Sequence, residues 1–227
     1  MRGNSIISSL FLVILLTTLT SSGLAVLMDF NSVSVSNNSA KMIEWYNAIG
    51  ITQSQYYIDF ENTADGTNIN NAPLFPNLVI SVSTGGAYIR SNKNYFGASD
   101  PGPAGSTRAL ALTDSQILTL TFATPVDYIS FFDIDISDLA YGTVYFSNGT
   151  SQRFDEGNES NYGSGNSATF YGLFDNERKI SSITFRDTGG EGEFGIDEIR
   201  YGIIPEPSTL AILCFGALAF IKSKRKV

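Results

Sequence analysis

A chain of 227 residues carries 22 acidic and 14 basic side chains, no histidine and one cysteine, for a formal net charge of −8. That balance argues against nucleic-acid binding, which needs a basic footprint. The missing histidine removes Ser-His-Asp and Cys-His catalysis, histidine-based zinc sites and the usual general base near neutral pH.

The first segment reads "MRGNSIISSLFLVILLTTLTSSGLA". Arg2 forms a short basic region, an apolar run follows around Leu10 to Leu16, and Gly23-Leu24-Ala25 supplies a small-x-small site. This is the pattern of a secretory signal peptide over 1–25, cleaved within a few residues of Ala25; the alternative is an uncleaved anchor helix. Setting aside Arg2, Glu206 and the four basic tail residues leaves 21 acids against 9 bases in the body, a net charge of −12. The only cysteine, Cys214, lies outside that body. The exported part therefore has no disulfide, and Cys214 is expected to pack as a small apolar residue.

Residues 26–55 form a helical segment expected to pack on the domain that follows. Its helix lies in "NNSAKMIEWYNAIGI". Asn38 or Ser39 can cap it. Met42, Ile43, Trp45, Tyr46 and Ile49 recur at spacings near three and four, and Gly50 ends it. Trp45 reads as the anchor that buries this helix.

From Tyr56 the period switches to two. "YYIDF", "NLVISVS", "GAYIRS", "ILTLTFA", "VDYISFFDID", "GTVYFS", "ATFYGLF", "ISSITFR" and "FGIDEIRY" are short and rich in β-branched and aromatic residues. Gly, Pro, Asn and Asp clusters separate most of them. Many short strands separated in this way are expected to form an all-β domain, a β-sandwich or a barrel. "DEGNESNYGSGNS" is a long polar loop.

Two groups of residues in this region invite chemistry. Asp133 and Asp135 share one face of a strand, with Asp138 in the turn beyond. Like charges that close raise each other's pKa unless a cation or a donor offsets them. They form a cation site, a solvated edge or, least favoured, the carboxylate pair of a glycosidase. Tyr88, Tyr95, Tyr141, Tyr145 and Tyr162 lie near turns. They are either a surface that stacks on sugar rings or simply good strand formers. "NGT" at Asn148 and "NES" at Asn158 match the glycosylation sequon, which matters only in a host with that machinery.

The tail, 203–227, has three parts. Pro205-Glu206-Pro207 stops any helix arriving from upstream. Leu210 to Ile221 carries no charge, and the segment 208–221 is expected to be a short membrane helix. Lys222, Lys224, Arg225 and Lys226 then form a basic stop over 222–227 whose long stems can snorkel. This three-part tail resembles the PEP-CTERM sorting signal. The resemblance implies export by the Sec machinery, transient anchoring in the inner membrane and processing by an exosortase. It also implies a Gram-negative cell surface, where such proteins accompany exopolysaccharide.

A second resemblance covers roughly 56–202. "YIDFENTADGTNI", "ISFFDIDI", "FYGLFDNERKISSITF" and "FGIDEIRYG" are similar to the jelly rolls found upstream of PEP-CTERM tails, and the last also to MAM-like and carbohydrate-binding jelly rolls. What this implies is a jelly-roll-like antiparallel β-sandwich over 56–202, with a structural calcium between the first and last strands. Asp59 and Glu61 alternate with Ile58 and Phe60 and so share a face. Asp197 sits on the last strand. Carboxylates with nearby loop carbonyls supply the six to eight hard oxygens that calcium takes. The expected function is that of an exported, non-catalytic surface or extracellular-matrix protein. Its alternatives are a carbohydrate-binding module for exopolysaccharide and a glycoside-processing enzyme using carboxylates.

Overall fold

A computed structural model describes residues 27–30, 35–91, 106–113, 115–134, 140–155, 168–175, 177–187 and 193–204. The signal segment, the sorting motif Pro205-Glu206-Pro207 and the predicted membrane segment 208–221 lie outside them. So do Tyr95, Tyr162, Asp135, Asp138 and all but Asp155 of the predicted polar loop. Among the described residues no helix is long and apolar enough to cross a membrane.

The described chain is mostly strand, with one helix. The elements are β1 (Leu27–Phe30), α1 (Val35–Ala48), β2 (Tyr56–Ile58), β3 (Leu78–Val82), β4 (Tyr88–Ser91), β5 (Arg108–Thr113) and β6 (Leu118–Val126). They continue with β7 (Tyr128–Ile134), β8 (Ala140–Phe146), β9 (Ser151–Asp155), β10 (Ala168–Phe174), β11 (Ile180–Asp187) and β12 (Glu193–Gly202). One sheet has the order β1-β10-β7-β12-β5-β4, with β2 also paired to β12, and counts seven strands. The other has five, in the order β3-β6-β11-β8-β9. Every pairing between these strands is antiparallel. From β5 onward successive strands alternate between the sheets, except at the β8–β9 hairpin. The expected antiparallel β-sandwich with one helix is what the structure shows.

Three strands were not among those expected. β5, "RALALT", is buried along its middle on both sides, so it has no polar face to set up an alternation. Leu110 and Leu112 enter the main core, while Ala109 and Ala111 pack with Ile134. β9, "SQRFD", has Phe154 as its only large apolar residue. β1 is four residues long, and its register with β10 runs from Leu27–Leu173 to Phe30–Phe170.

The main core lies between the sheets. Phe131, Tyr171, Phe185, Phe154 and Phe194 form a chain of ring contacts through it. A second cluster forms on the outer side of the seven-stranded sheet. There Trp45, Ile49 and Ile51 pack with Tyr128, Phe132 and Phe170. Glycine at 172 makes this fit possible, because a Cβ there would come within 2.6 Å of Trp45 Nε1. The helix starts at Val35, earlier than either expected cap. It ends as expected at Gly50. Gly50 N–H donates to Asn47 C=O at 3.2 Å and Ile51 N–H to Tyr46 C=O at 3.0 Å, with Gly50 at φ +75°. This is the paired closure that glycine permits at a helix C-terminus. Covered by core on one face and by α1 and its neighbours on the other, β7 is buried at all seven positions. β6 in the other sheet instead alternates for most of its length between buried and accessible residues.

Candidate functional site

The outer face of the five-stranded sheet is built by alternation. On β8, Gly142, Val144 and Phe146 are buried, while Tyr141, Thr143 and Tyr145 stand on the other side. On β11, Ile183 and Phe185 are buried, and Ser182, Thr184 and Arg186 take the outer positions. β6 adds Thr119 and Thr121, and β9 adds Ser151 and Arg153. The face is thus almost entirely hydroxyl, phenol and guanidinium. Among the described residues α1 is the only helix, and it lies on the other sheet.

Two tyrosines on this face have different surroundings. Tyr141 is opposite Arg186 in register, and Arg153 lies diagonally across on β9. Both guanidinium groups sit against its ring, Arg153 Cζ at 4.2 Å from the centroid and Arg186 Cζ at 4.9 Å. The negative face of the ring attracts each cation. Tyr145, four residues on, is opposite Ser182 and Ser151. Serine is too short to cover a ring. Tyr145 accordingly has no ring partner among the described residues and is 41% exposed.

A second group of polar residues joins the loop after β2 to β5 and β12. β2 stops at Ile58, and Phe60 takes φ 57°, so the alternation expected to continue through Glu61 ends there. A bulky residue in the left-handed region is held there only by its surroundings. Asp59 Oδ1 accepts from Glu61 N–H at 3.2 Å, closing a local turn. The Glu61 carboxylate accepts from Thr107 N–H at 2.7 Å, Thr107 Oγ1 at 2.6 Å, Arg108 N–H at 3.0 Å and Ser106 Oγ at 3.1 Å. Burial pushes this carboxyl up, but those donors outweigh it, and its pKa falls below the ordinary glutamate value.

Asp197 reaches the same hydroxyl from β12. Its Oδ2 is bonded to Ser106 Oγ, and its Oδ1 accepts from Glu198 N–H at 2.7 Å. Glu198 is also left-handed, at φ 49°. Asp197 is fully buried. Burial drives its carboxyl well above the ordinary aspartate range, against the pull of Ser106 and the Glu198 amide. Arg108 Nη1 donates to the carbonyls of Glu61, at 3.0 Å, and Thr63.

So the structure brings Glu61 and Asp197 to one serine and turns Asp59 onto its own backbone. Among the described residues no three acidic, histidine or cysteine side chains cluster as a metal site. Asp133 is fully buried, opposite Ile196 in register. Tyr88 is 38% exposed, with Arg90 Cζ at 5.2 Å from its ring. Sequence reasoning missed Arg153, Arg186 and Ser106. The outer positions of "ITFRD" and "SQRFD" are marked by period two, but only the register shows that both arginines flank one ring.

Comparison with known proteins bears on the tail first. Residues 204–226 match the PEP-CTERM protein-sorting motif. The chain is exported. That motif marks sorting through an exosortase and hence a protein of the cell envelope. No curated protein matches the sequence. Among solved structures, the chain is similar to the K2 cleaved adhesin domain of Lys-gingipain, at 12% identity and TM-score 0.45, over 64% of this chain and 98% of that one. It is also similar to the family 11 carbohydrate-binding module of a Clostridium thermocellum cellulosomal cellulase, at 9% identity and TM-score 0.30, over 64% and 99%. A family 29 carbohydrate-binding module complexed with mannohexaose follows at 15% identity and TM-score 0.31, over 67% and 95%. Likenesses at these scores say nothing about activity.

Proposed function

We propose that the exported chain is a non-catalytic surface protein whose sandwich holds polysaccharide on the outer face of the five-stranded sheet. The observation that carries this is Tyr145. Among the described residues it offers an aromatic face with no ring partner, between two serines, on an exposed strand surface lined with hydroxyls. A sugar ring presents C–H groups to such a face and hydroxyls to its rim. No reaction is assigned to Asp133, which is buried between the sheets and out of reach of a glycan.

Calcium belongs to the same proposal as a structural element, not as part of the binding face. Glu61 and Asp197 are its proposed ligands, with oxygens of Ser106 and Arg108 beside them. Three acceptors, Glu61 Oε1, Asp197 Oδ2 and the Arg108 carbonyl at 3.1 Å, surround the single proton of the Ser106 hydroxyl. That surplus of acceptors supports a cation when Asp197 is ionised. The bound ion would offset two carboxylates that otherwise repel.

The test of the binding face is affinity electrophoresis of the full-length chain in gels containing exopolysaccharide from the producing cells. Retardation is expected for the wild type. Tyr145→Ala should weaken it by about 5–10-fold, the loss of one aromatic anchor. No retardation of the wild type, or a Tyr145→Ala variant retarded as strongly, would contradict the proposal.

A further inference from the structure

The turn after β2 borders a hollow that neither the Tyr145 face nor the Ser106 group uses. Tyr57, Asp59, Phe60, Asn62, Phe75 and Pro76 line it. Its free volume is about 170 Å³, room for one small ring and too little for a bulky ligand. Tyr57 is opposite Arg200 in register, and Arg200 reaches Met42 of α1, so this ring stands on the α1 side of the seven-stranded sheet. Tyr145 belongs to the other sheet.

The walls of the hollow are fixed from behind. The left-handed Phe60 meets Phe75 edge to face, with ring centroids 5.9 Å apart. The Pro76 carbonyl accepts from the buried Tyr201 hydroxyl. Arg200 Cζ lies 4.3 Å from the centre of the Tyr57 ring, and Glu198 pairs with that guanidinium at 2.6 Å. The pair holds the ring in place and neutralises the nearest cation. Tyr57 is nevertheless 49% exposed.

The rim is polar and unsaturated. Asp59 Oδ1 accepts from Glu61 N–H at 3.2 Å. Among the described residues its Oδ2, the Tyr57 hydroxyl and the Asn62 side-chain amide make no hydrogen bond. Together they offer a charged acceptor, a hydroxyl and an amide around an aromatic floor. An apolar ligand would bury the Asp59 carboxylate unpaired, at a cost. An anionic one would meet that carboxylate in a chain of net charge −8. A calcium ion takes six to eight oxygens, and Asp59 is the only carboxylate lining the hollow. A neutral ring with hydroxyls at its edge and C–H groups on its face satisfies all three groups, because hydroxyls bond a carboxylate strongly and C–H groups cover an aromatic ring.

We infer that this hollow is a second sugar site, which holds one neutral sugar ring of a glycan between Tyr57 and Phe75 while Asp59 and Asn62 take its hydroxyls. It stands apart from the Tyr145 face and does not depend on it.

The test is titration calorimetry of the full-length Tyr145→Ala chain, in which the other face is disabled. The probes are maltohexaose, cellohexaose and mannohexaose, which are neutral, and the hexamer of galacturonic acid. At least one neutral hexamer should bind. Adding Tyr57→Ala should weaken it by about tenfold or more, the loss of an aromatic anchor. Adding Asp59→Asn keeps the shape and an acceptor for Glu61 N–H but removes the charge. It should weaken the neutral hexamer by about 3–10-fold and strengthen the galacturonate hexamer, since the repulsion is gone. Melting curves matching the wild type show that each variant is folded. No neutral hexamer bound by Tyr145→Ala would overturn the site, and binding by the wild type in that case would leave the Tyr145 face standing. Neutral binding that survives both Tyr57→Ala and Asp59→Asn would overturn it too. The galacturonate hexamer bound most tightly of the four would overturn the neutral assignment.

Discussion

Both sheets of this sandwich carry aromatic residues on their outer faces, but the two faces are finished differently. On the seven-stranded sheet, Tyr128, Phe132 and Phe170 are covered by α1 through Trp45 and are at most 1% exposed. On the five-stranded sheet, Tyr141 and Tyr145 are flanked by arginines and serines, and Tyr145 is 41% exposed. The same residue types serve as core in one place and as surface in the other. What decides is the neighbour: a glycine at 172 lets an indole pack against the sheet, whereas the phenol ring between serines 151 and 182 is 41% exposed. The covered face stabilises the fold. Among the described residues no helix covers the other face.

The sharpest way to break this contrast is to uncover the covered face. Trp45→Ala should cost about 3–5 kcal/mol, as truncation of a fully buried aromatic does. In a domain of this size that lowers the melting temperature by roughly 10 °C. A shift of only a degree or two would mean that α1 is a surface ornament. Calcium is expected next in size. A cation bound only to the native state contributes about 2.7 kcal/mol at a hundredfold excess over Kd. Chelator should therefore lower the melting temperature by several degrees, and Asp197→Ala should abolish the response. An identical curve with and without chelator would reject the ion. Gly172→Ala should follow, at about 1–3 kcal/mol, because the new methyl displaces the Trp45 ring.

The acidic group also sharpens the comparison through pH. The native pKa of Glu61 is lowered, so its contribution is present above the unfolded value and is lost as pH falls through the native one. The native pKa of Asp197 is raised, which gives the opposite sign. Its contribution is full below the unfolded aspartate range and is lost as pH rises toward the native value. In chelator at neutral pH, Glu61→Gln should therefore destabilise the protein and Asp197→Asn should stabilise it. Saturating calcium should reverse the second sign, because the ion needs the ionised carboxylate. Urea midpoints for both variants, with and without calcium, read this directly. The same sign for both variants in chelator would contradict the assignment.

Much of this contrast was legible in the sequence, and the illegible part has physical causes. Trp45, the period of α1 and the Gly50 stop follow from spacing and turn chemistry. The strands with alternating faces were readable for the same reason. β5 was not, because burial on both sides removes the polar half of the pattern. β9 was not, because one phenylalanine among polar residues is too little signal. Glu61 and Asp197 were named together only as calcium ligands implied by a resemblance, and nothing in the spacing pointed to Ser106, which is far from both along the chain. Tyr141 and Tyr145 looked alike as letters. Only the register distinguishes a ring held between two guanidinium groups from one flanked by serines.

The smallest expected effect on stability is also the one that matters most. Tyr145 is 41% exposed, so Tyr145→Ala should change the unfolding free energy by less than about 0.5 kcal/mol, as surface substitutions usually do. The decisive measurement pairs that melting curve with affinity electrophoresis in exopolysaccharide from the producing cells, for the wild type and Tyr145→Ala side by side. The account predicts an unchanged melting temperature and a retardation weakened several-fold. A variant that melts like the wild type and is retarded like the wild type would contradict it.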